Sequence, residues 1–343
     1  MKVASPGLEL NDLGFEGRAD YKSLSTIVGV QSFTAGAHLQ SFSASTGQNA
    51  ALNFGSVLIS NSAFLKGNAT LNNFWTVGAS ASTDRSVRSD RLTRGGPQAR
   101  TATAYSTLVS LGSDTRRLMS SSASGSYGWD DYGSHMASAS AGIVVRPSAS
   151  VRVSVTPSLS GGLTALQYLQ SASDAMAAAT FGRRYVFASL HQTTLSGDTR
   201  IEWTFTPQLT LQLYAQPFVS AGRYAAFKQL AAPSSSSYPQ YGTDLGTITR
   251  NETTHNYTID PDGAGPTAPF TVVNPDFNVR SLRGNAVLRW EYRPGSQLYV
   301  VGQQERSGAE AFGDFDLSRD TGAIFRQQMT NVFAVKFTYS IGT

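Results

Sequence analysis

The sequence has no cysteine among its 343 residues, which excludes a disulfide framework and any thiolate metal site or nucleophile. Charged residues are also few: they make up 15% of the chain and leave a formal net charge of +4. Nucleic-acid binders carry clustered basic residues, so this composition argues against that class. No run approaches the roughly 18 apolar residues that a membrane-spanning helix requires.

The shortage of charge also bears on the surface. Lysine and glutamate, which normally coat soluble globular proteins, are scarce, whereas glycine, serine, threonine and alanine are plentiful. We therefore expect much of the surface to be shielded from bulk water. The mean hydropathy of -0.19 does not contradict this, because membrane β-barrels alternate apolar and polar residues. A secreted, serine-rich all-β protein has a similar composition and remains the alternative.

The first ten residues, MKVASPGLEL, lack the apolar core of a signal peptide. A protein of the bacterial outer membrane must be exported. If the chain is such a protein, we expect the sequence to be a mature form or part of a longer one.

Most of the chain alternates apolar and polar residues, the pattern of strands whose side chains point to two faces. In residues 285–304, Arg289 and Glu291 lie on one face. The other face carries Ala286, Leu288, Trp290 and Tyr292. Such runs are about ten residues long, which suits a tilted membrane strand better than a soluble sheet. The stretch 172–181 could form at most a turn or two of helix.

This alternation predicts an all-β protein: a single-domain, transmembrane, antiparallel up-and-down β-barrel of about sixteen strands, with a range of roughly 14–18. The least certain part of the count is 158–183. The expected strands are 8–17, 22–33, 37–46, 54–64, 69–81, 101–112, 116–128, 134–146, 149–158, 163–171, 184–193, 198–206, 209–219, 282–292, 297–306 and 330–341.

The connections between these strands are of two kinds. Proline-bearing tight turns occur at 146–148, 206–208 and 293–296, where the missing N–H of proline costs no ladder hydrogen bond. Long connections occur at about 82–100, 220–281 and 307–329. If the two kinds alternate, they lie at opposite ends of the sheet, as short periplasmic turns and long external loops do in outer-membrane barrels. The 220–281 loop is the expected constriction or plug.

In such a barrel the apolar face would contact lipid, with aromatic residues at the membrane interface. The predicted belt comprises Trp203, Trp290, Tyr292, Phe337 and Tyr339. The opposite face would line an aqueous or plugged interior. Its predicted charges are Arg152, Glu202, Arg289, Glu291 and Lys336. In a pore these charges would set selectivity; alternatively they pair across the wall and stabilise it.

Five stretches resemble an uncharacterised bacterial domain family. They are GLELNDLGFEGRAD (7–20), RGGP (94–97), FTPQLTLQLYAQPFVSAGRYAAFKQL (205–230), NPDFNVRSLRGNAVLRWEYRPGSQLYVV (274–301) and NVFAVKFTYS (331–340). The family is a C-terminal β-barrel domain found behind a carbohydrate-binding module similar to family nine. The resemblance implies an outer-membrane-associated barrel of Gram-negative type with no established catalytic residues.

The sequence departs from that family pattern in three places. The preceding sugar-binding module is absent, so a role in glycan binding does not follow for this chain alone. Gly302 stands where an aromatic residue is expected. The last five residues, 339–343, do not close on the aromatic residue that the barrel-assembly machinery usually reads, so insertion would be less efficient or would use Phe337 and Tyr339.

The loop 82–100 is rich in arginine. Its cations are Arg85, Arg88, Arg91, Arg94 and Arg100. Guanidinium groups grip phosphate in a bidentate way, so one interpretation is an external rim that binds lipopolysaccharide or an anionic solute. The other is a solvated loop with internal ion pairs to its own aspartates.

Other candidate sites have simpler readings. Asp260 and Asp262 precede a glycine as in calcium loops, but the remaining ligand positions are missing, which favours a plain turn. The four histidines are not spaced as metal ligands, and no cofactor is expected. His191 shares a face with Ser189, but no orienting acid is evident, so the sequence does not predict an enzyme.

The sequence as a whole predicts an outer-membrane protein of a Gram-negative bacterium. It would be a passive channel for a small polar or saccharide solute, or the membrane anchor of a carbohydrate-binding module. Its partners would be the lipid bilayer, lipopolysaccharide and the barrel-assembly machinery. An outer-membrane hydrolase and a soluble secreted glycan-binding protein remain as alternatives.

Overall fold

A computed structural model describes residues 1–9 and 17–341, which are almost entirely β-structure. The strands, in chain order, are β1 (Lys2–Ala4), β2 (Tyr21–Ser32), β3 (Leu39–Leu52), β4 (Leu58–Leu71), β5 (Thr76–Asp84), β6 (Arg88–Ser89), β7 (Ala99–Arg100), β8 (Ala104–Gly112), β9 (Met119–Asp130), β10 (His135–Ser148), β11 (Val151–Ser173), β12 (Arg183–Thr206), β13 (Leu209–Gln229), β14 (Thr247–Arg250), β15 (Tyr257–Asp260), β16 (Phe270–Val272), β17 (Phe277–Arg293), β18 (Ser296–Glu310) and β19 (Met329–Thr338). Helix α1 spans Leu317–Arg326, and a 3-10 turn spans Ala178–Thr180.

Fourteen of the strands form one antiparallel main sheet in the order β1-β2-β3-β4-β5-β8-β9-β10-β11-β12-β13-β17-β18-β19. The prediction of an antiparallel all-β protein is therefore confirmed, and the strand number lies within the predicted range. The sheet, however, is not closed into a barrel. Its two edges are β1 and β19, and among the described residues no hydrogen-bonded ladder joins them; β1, with three residues, leaves most of β2 unpaired on that side.

Several predicted strand boundaries are wrong. The pairs 149–158 with 163–171 and 184–193 with 198–206 are the single strands β11 and β12. Gly161 and Gly162 lie in the predicted gap between 149–158 and 163–171, but both pair with β12 inside the ladder. A Cβ on Gly162 would lie 2.0 Å from the carbonyl oxygen of His135, so glycine here permits close packing of strands rather than a turn. Most of the predicted first strand, 8–17, lies outside the described residues.

Successive connections lie at alternate ends of the main-sheet strands, and the three longest, 85–103, 230–276 and 311–328, all lie at one end, called here the long-loop edge; the other end is the short-turn edge. The short-turn edge holds 33–38, 72–75, 113–118, 149–150, 207–208 and 294–295. The long-loop edge holds 53–57, 85–103, 131–134, 174–182, 230–276 and 311–328. The predicted tight turns and long loops fall on these two edges respectively.

The main sheet has two chemically distinct faces. The apolar face contains the register partners Trp203, Leu211 and Leu288, and the polar face contains their neighbours Glu202 and Gln212. Exposure alternates with the same period. In β10, Ala137, Ala139 and Ile143 are exposed, whereas Ser138 and Ser140 on the polar face are half-buried. The apolar face is thus the more exposed one, the reverse of a soluble sheet that rests on a core.

Buried residues concentrate at the long-loop edge, where the main sheet carries a cap made of β6, β7 and 230–272. Tyr185, Val186, Phe187 and Ala188 of β12 are buried on both faces of the strand. Val186 and Ala188 pack against the small antiparallel sheet β14-β15-β16 through Ile259. Tyr185 and Phe187 pack against the other side of the cap through Ala99 and Leu230.

Helix α1 lies in the predicted 307–329 loop, against β17 and β18. Asp316 caps its N-terminus by accepting a hydrogen bond from the Arg319 backbone N–H, at 2.6 Å. Within the part of the chain that the structure describes, no helix is long and apolar enough to cross a membrane.

Candidate functional site

The polar face of β3 to β10 is lined by hydroxyl groups that pair across strands. Ser124 and Ser140 lie 2.8 Å apart, and Ser126 and Ser138 lie 2.7 Å apart. A third pair, Ser82 and Ser106, is 2.7 Å apart. Serine hydroxyls both donate and accept, so these rows satisfy one another and leave lone pairs for water or a solute. This part of the polar face is mostly a neutral, hydrogen-bonding surface, with Lys66 as a charge at mid-strand.

The polar face of β11 to β19 is charged, and it includes all five predicted inward charges. Arg152 donates to Glu202 at 3.3 Å across β11 and β12. Arg289 lies 3.7 Å from Glu291 on its own strand. Tyr299 is the register partner of both Arg289 and Lys336 and so separates these two cations. The structure therefore places the five residues on one face near the short-turn edge, in two separate groups.

Further charged residues on this face were missed by the sequence reasoning. Tyr214 donates a hydrogen bond from its hydroxyl to Asp198 at 2.5 Å, and the guanidinium of Arg200 lies 5.1 Å from the Tyr214 ring centre. Arg283 pairs with Glu305 at 3.2 Å. Asp198 and Arg200 lie four and two residues before Glu202, so strand alternation alone would have placed them with it. Cations and anions on this face are nearly balanced.

A small groove of about 220 Å³ lies in this charged region. Its lining includes Arg200, Glu202, Gln212, Tyr214 and Asn285. Three of these side chains are uncharged hydrogen-bonding groups, and the two charges have opposite sign. The groove suits a small, hydrated polar molecule better than a strongly charged one.

The predicted aromatic belt lies at the short-turn edge. Trp203 stacks on Phe205 with ring centres 4.4 Å apart, and Tyr292 stacks on Phe337 at 5.4 Å. Trp290 lies beside Tyr292 at 6.0 Å. Tyr339 follows the last residue of β19, and its hydroxyl accepts a hydrogen bond from Arg293 at 2.8 Å.

A second aromatic row lies at the long-loop edge of the apolar face. Trp129 is 5.5 Å from Tyr105 and 5.6 Å from Tyr127, with the rings stacked. The belt predicted from the sequence did not include this row. Exposed aliphatic residues such as Val109 and Leu159 lie between the two rows.

The five arginines of the 85–103 loop do not form a single cluster. Arg88 and Arg100 face each other in the β6-β7 pair. Arg91 donates to the carbonyl of Gly17 at 2.8 Å, and Arg94 lies 5.2 Å from the Tyr168 ring centre. Arg85 lies at the start of the loop, where its backbone N–H donates to the carbonyl of Asn61. Arg88 and Arg100 thus lie in the cap, whereas Arg91 and Arg94 contact residues outside it, and the lipopolysaccharide interpretation stays a prediction.

The other candidate groups have structural partners. Asp262 accepts from the Thr267 backbone N–H at 3.0 Å, and Asp260 accepts from that of Gly263 at 3.0 Å, as in a plain turn. Within residues 1–9 and 17–341, no group of three or more carboxylates or histidines could hold a metal ion. Ser189 donates to the carbonyl of Ala165 at 3.2 Å and accepts from Lys228 at 3.2 Å.

The clearest ionic cluster lies at the long-loop end of β17, where α1 packs against it. Arg280 is buried and pairs with Asp320 at 3.1 Å and with Glu310 at 2.6 Å. Burial of Asp320 disfavours its ionised form, but hydrogen bonds from Arg319, the Asp316 backbone N–H and Asn278 outweigh this and hold the Asp320 pKa at about 2. The cluster therefore requires an ionised carboxylate.

One acidic residue in a turn at the short-turn edge is also perturbed. Hydrogen bonds from the side chain and backbone N–H of Arg116 lower the pKa of Asp114 to about 2. The guanidinium of Arg116 also lies 3.1 Å from the Phe74 ring centre, on the neighbouring turn. These contacts tie two short turns together.

The fold defines a class: all-β proteins built on one long up-and-down antiparallel sheet with an exposed apolar face and a polar face. The chain belongs to a domain family of unknown function, DUF5916, whose sequence model matches residues 1–342. The predicted membership of an uncharacterised domain family is therefore confirmed, while the association with a carbohydrate-binding module stays a prediction. No curated protein matches the chain in a sequence comparison.

Proposed function

We propose that the chain is an outer-membrane β-barrel of a Gram-negative bacterium that acts as a passive channel for small polar solutes. The observation that carries the proposal is the inverted exposure of the main sheet. Val109 is 57% exposed and Leu65 is 61% exposed on the apolar face, and similar side chains lie along the whole sheet. Burying apolar surface stabilises a protein by roughly 25 cal/mol per Å², so a continuous face of this kind needs a cover, and lipid supplies one.

The two aromatic rows support the same placement. Tryptophan and tyrosine favour both interfaces of a bilayer, where one end of the ring is apolar and the other is wet. Here the Trp203 and Trp290 row lies near the short-turn edge, and the Tyr105 and Trp129 row lies near the long-loop edge. We assign the aliphatic zone between them to the hydrocarbon layer, with the long-loop edge outward.

The polar face supplies the channel lining. Its serine rows offer donors and acceptors without net charge, and its charged region carries both signs. Such a surface replaces the hydration of a neutral polar solute, for example a saccharide, without strong selection for one ion. Val186 and Ala188, on the polar side of β12 by strand alternation, hold the β14-β15-β16 sheet, so the cap would narrow the channel at the long-loop edge.

The alternatives find less support. A hydrolase built on Ser189 would need a free general base, but this hydroxyl is engaged with Ala165 and the ammonium group of Lys228. A soluble glycan-binding protein would leave the apolar face in water. A closed membrane anchor for a carbohydrate-binding module shares every feature above except an open lumen.

Planar-bilayer conductance of the refolded protein tests the proposal. A channel gives stable ohmic steps, and Ser140→Arg on the polar face changes their size. A plugged anchor gives no steps although the protein inserts. Extraction without detergent provides a second test. A protein that stays in the supernatant rather than in the membrane pellet would rule out both the channel and the membrane anchor.

A further inference from the structure

The two edges of the main sheet share three properties. Beyond the three-residue β1, no described residue pairs with the outer edge of β2, and none pairs with that of β19. Both strands run from the long-loop edge to the short-turn edge, so they are parallel to each other. Both also carry apolar side chains: Val28 is 66% exposed and Val335 is 69% exposed.

The exposure of the residues of β2 changes at the point where the neighbouring strand β1 ends. Where β1 pairs with it, at Tyr21 to Ser23, exposed and half-buried residues alternate. From Leu24 to Gln31, where β1 has ended, every residue is exposed on both faces. Strand β19 is likewise exposed from Met329 to Phe337. Interior strands alternate over much of their length, as β10 does from His135 to Ala141, and their longest exposed runs among the described residues, such as 105–109 in β8, are five residues. The longer exposed runs of β2 and β19 therefore fit the lack of a neighbouring strand on their outer sides.

We propose that these two edges form a receptor for one added strand, which lies in line with β1 and antiparallel to both β2 and β19. Direct pairing of β2 with β19 would make a parallel junction in a sheet of thirteen strands, and parallel pairing is slightly weaker per residue. One antiparallel strand instead satisfies both rows of unpaired backbone groups and gives fourteen full strands, an even number. Strand addition at a free edge is an established mode of peptide recognition.

The pairing of β1 fixes the register of this strand. Lys2 is the register partner of Ser23, so the same antiparallel register places Met1 opposite Leu24. A residue four positions before Met1 would then lie opposite Val28. An added strand that continues to the end of β2 at Ser32 needs eight residues before Met1. Thr26, Val28 and Val30 lie on the apolar face, so the occupant has apolar side chains at every second position, counted back from Met1. It is an extended, half-apolar peptide segment.

The absence of cysteine makes disulfide crosslinking a clean test. The full chain receives an eight-residue extension before Met1 with apolar residues at the even positions, a cysteine four before Met1, and Val28→Cys. A matched extension has apolar and polar positions exchanged, which turns the apolar set to the wrong face. Neighbouring strands bring paired Cα atoms within disulfide reach. Val300→Cys with Val335→Cys, which are register partners, verifies that the main sheet has folded.

The expected result is efficient crosslinking with the first extension, several-fold less with the exchanged one, and a second crosslink from the extension to a cysteine in β19. Three outcomes would overturn the proposal. The first is no crosslink to the extension although the Val300 and Val335 control pair forms. The second is a Val28 to Val335 crosslink without any extension, which shows direct closure. The third is covalent dimers through β19, which show that a second copy occupies the edge. None of these outcomes depends on whether the protein conducts.

Discussion

The half of the main sheet formed by β2 to β10 and the half formed by β11 to β19 share one ladder but differ in chemistry and in depth. In the first half, the described polar face is mostly serine, asparagine and threonine, with Lys66 as a charge at mid-strand. In the second half the same face carries ion pairs such as Arg152 with Glu202. Strand alternation by itself gives the main sheet its two faces, and charged residues are concentrated on the polar face of the second half.

The two halves also differ in the length of their strands and in the packing at the long-loop edge. The strands of the first half have at most 14 residues, whereas β11 to β13 have 21 to 24. Because of this extra length, residues 185–188 extend into the cap, where they are buried on both faces of β12. The first half is therefore a single layer, and the second half supports a packed core in addition. We expect perturbations to act on local packing in the second half and on lipid contact in the first.

The largest expected effect comes from the ionic cluster that only the second half contains. Asp320→Ala leaves the buried Arg280 guanidinium without its buried partner, which costs about 3–5 kcal/mol for such a pair. We expect loss of protection of the 311–328 loop, measured by limited proteolysis in detergent. Glu305→Gln is the control, because it breaks an exposed pair with Arg283. Equal protease sensitivity in both variants would contradict the prediction.

The next effect separates the two faces of one strand in the first half. Ala139→Arg places a cation on the apolar face, where a charge at mid-depth costs about 2–4 kcal/mol in a bilayer. Ser140→Arg places the same cation one residue away, on the polar face, where we expect little loss of stability. Urea unfolding from liposomes measures the difference. Equal losses for the two variants would mean that lipid does not cover the apolar face.

The pH dependence of the same cluster should be weaker than removal of the side chain, because a protonated Asp320 retains some hydrogen bonds. Its folded pKa of about 2 lies below the ordinary value of 3.8, so ionisation stabilises the docked loop above that ordinary value. The stabilisation is lost as the pH falls from about 4 towards 2. Proteolysis with an acid-stable protease should show the loop opening in this window, and Asp320→Ala should remove the change.

The smallest expected effect on stability is that of the exposed ion pair. Glu202→Gln should cost less than about 1 kcal/mol, because Arg152 and Glu202 are both well exposed. Its effect on conduction should be more apparent: removal of one anion leaves an excess of cations on the polar face and shifts the reversal potential towards anion selectivity. An unchanged reversal potential in a conducting variant would place these charges outside the conduction path.

Strand alternation predicted much of this structure, because it is a local property of the sequence. It identified the two faces and the common face of Arg152 and Glu202, and the positions of the proline turns and long connections predicted the edge on which the three longest loops lie. It did not predict the cap, because β14 to β16 are three or four residues long and depend on packing against Val186 and Ala188. Helix α1 contains Gly322 and few apolar residues, and its position depends on Arg280, which is distant in sequence.

The free edges and the second aromatic row were missed for different reasons. Tyr105 is 24 residues from Trp129, and the two rings meet only through the register of β8 and β9. The state of an edge depends on which strands are neighbours across the whole sheet, which no window of sequence contains. Register and closure are therefore properties that the long-range pairing decides.

The core around Phe187 has a consequence for how the protein would reach its final position. If the long-loop edge faces outward, the segments 85–103 and 230–276 must cross the bilayer before they can meet and pack. Once assembled on the far side, they form a body too bulky and too hydrated to return. The folded cap would then prevent these segments from passing back through the bilayer, and so would fix the orientation of the protein for as long as it stays folded.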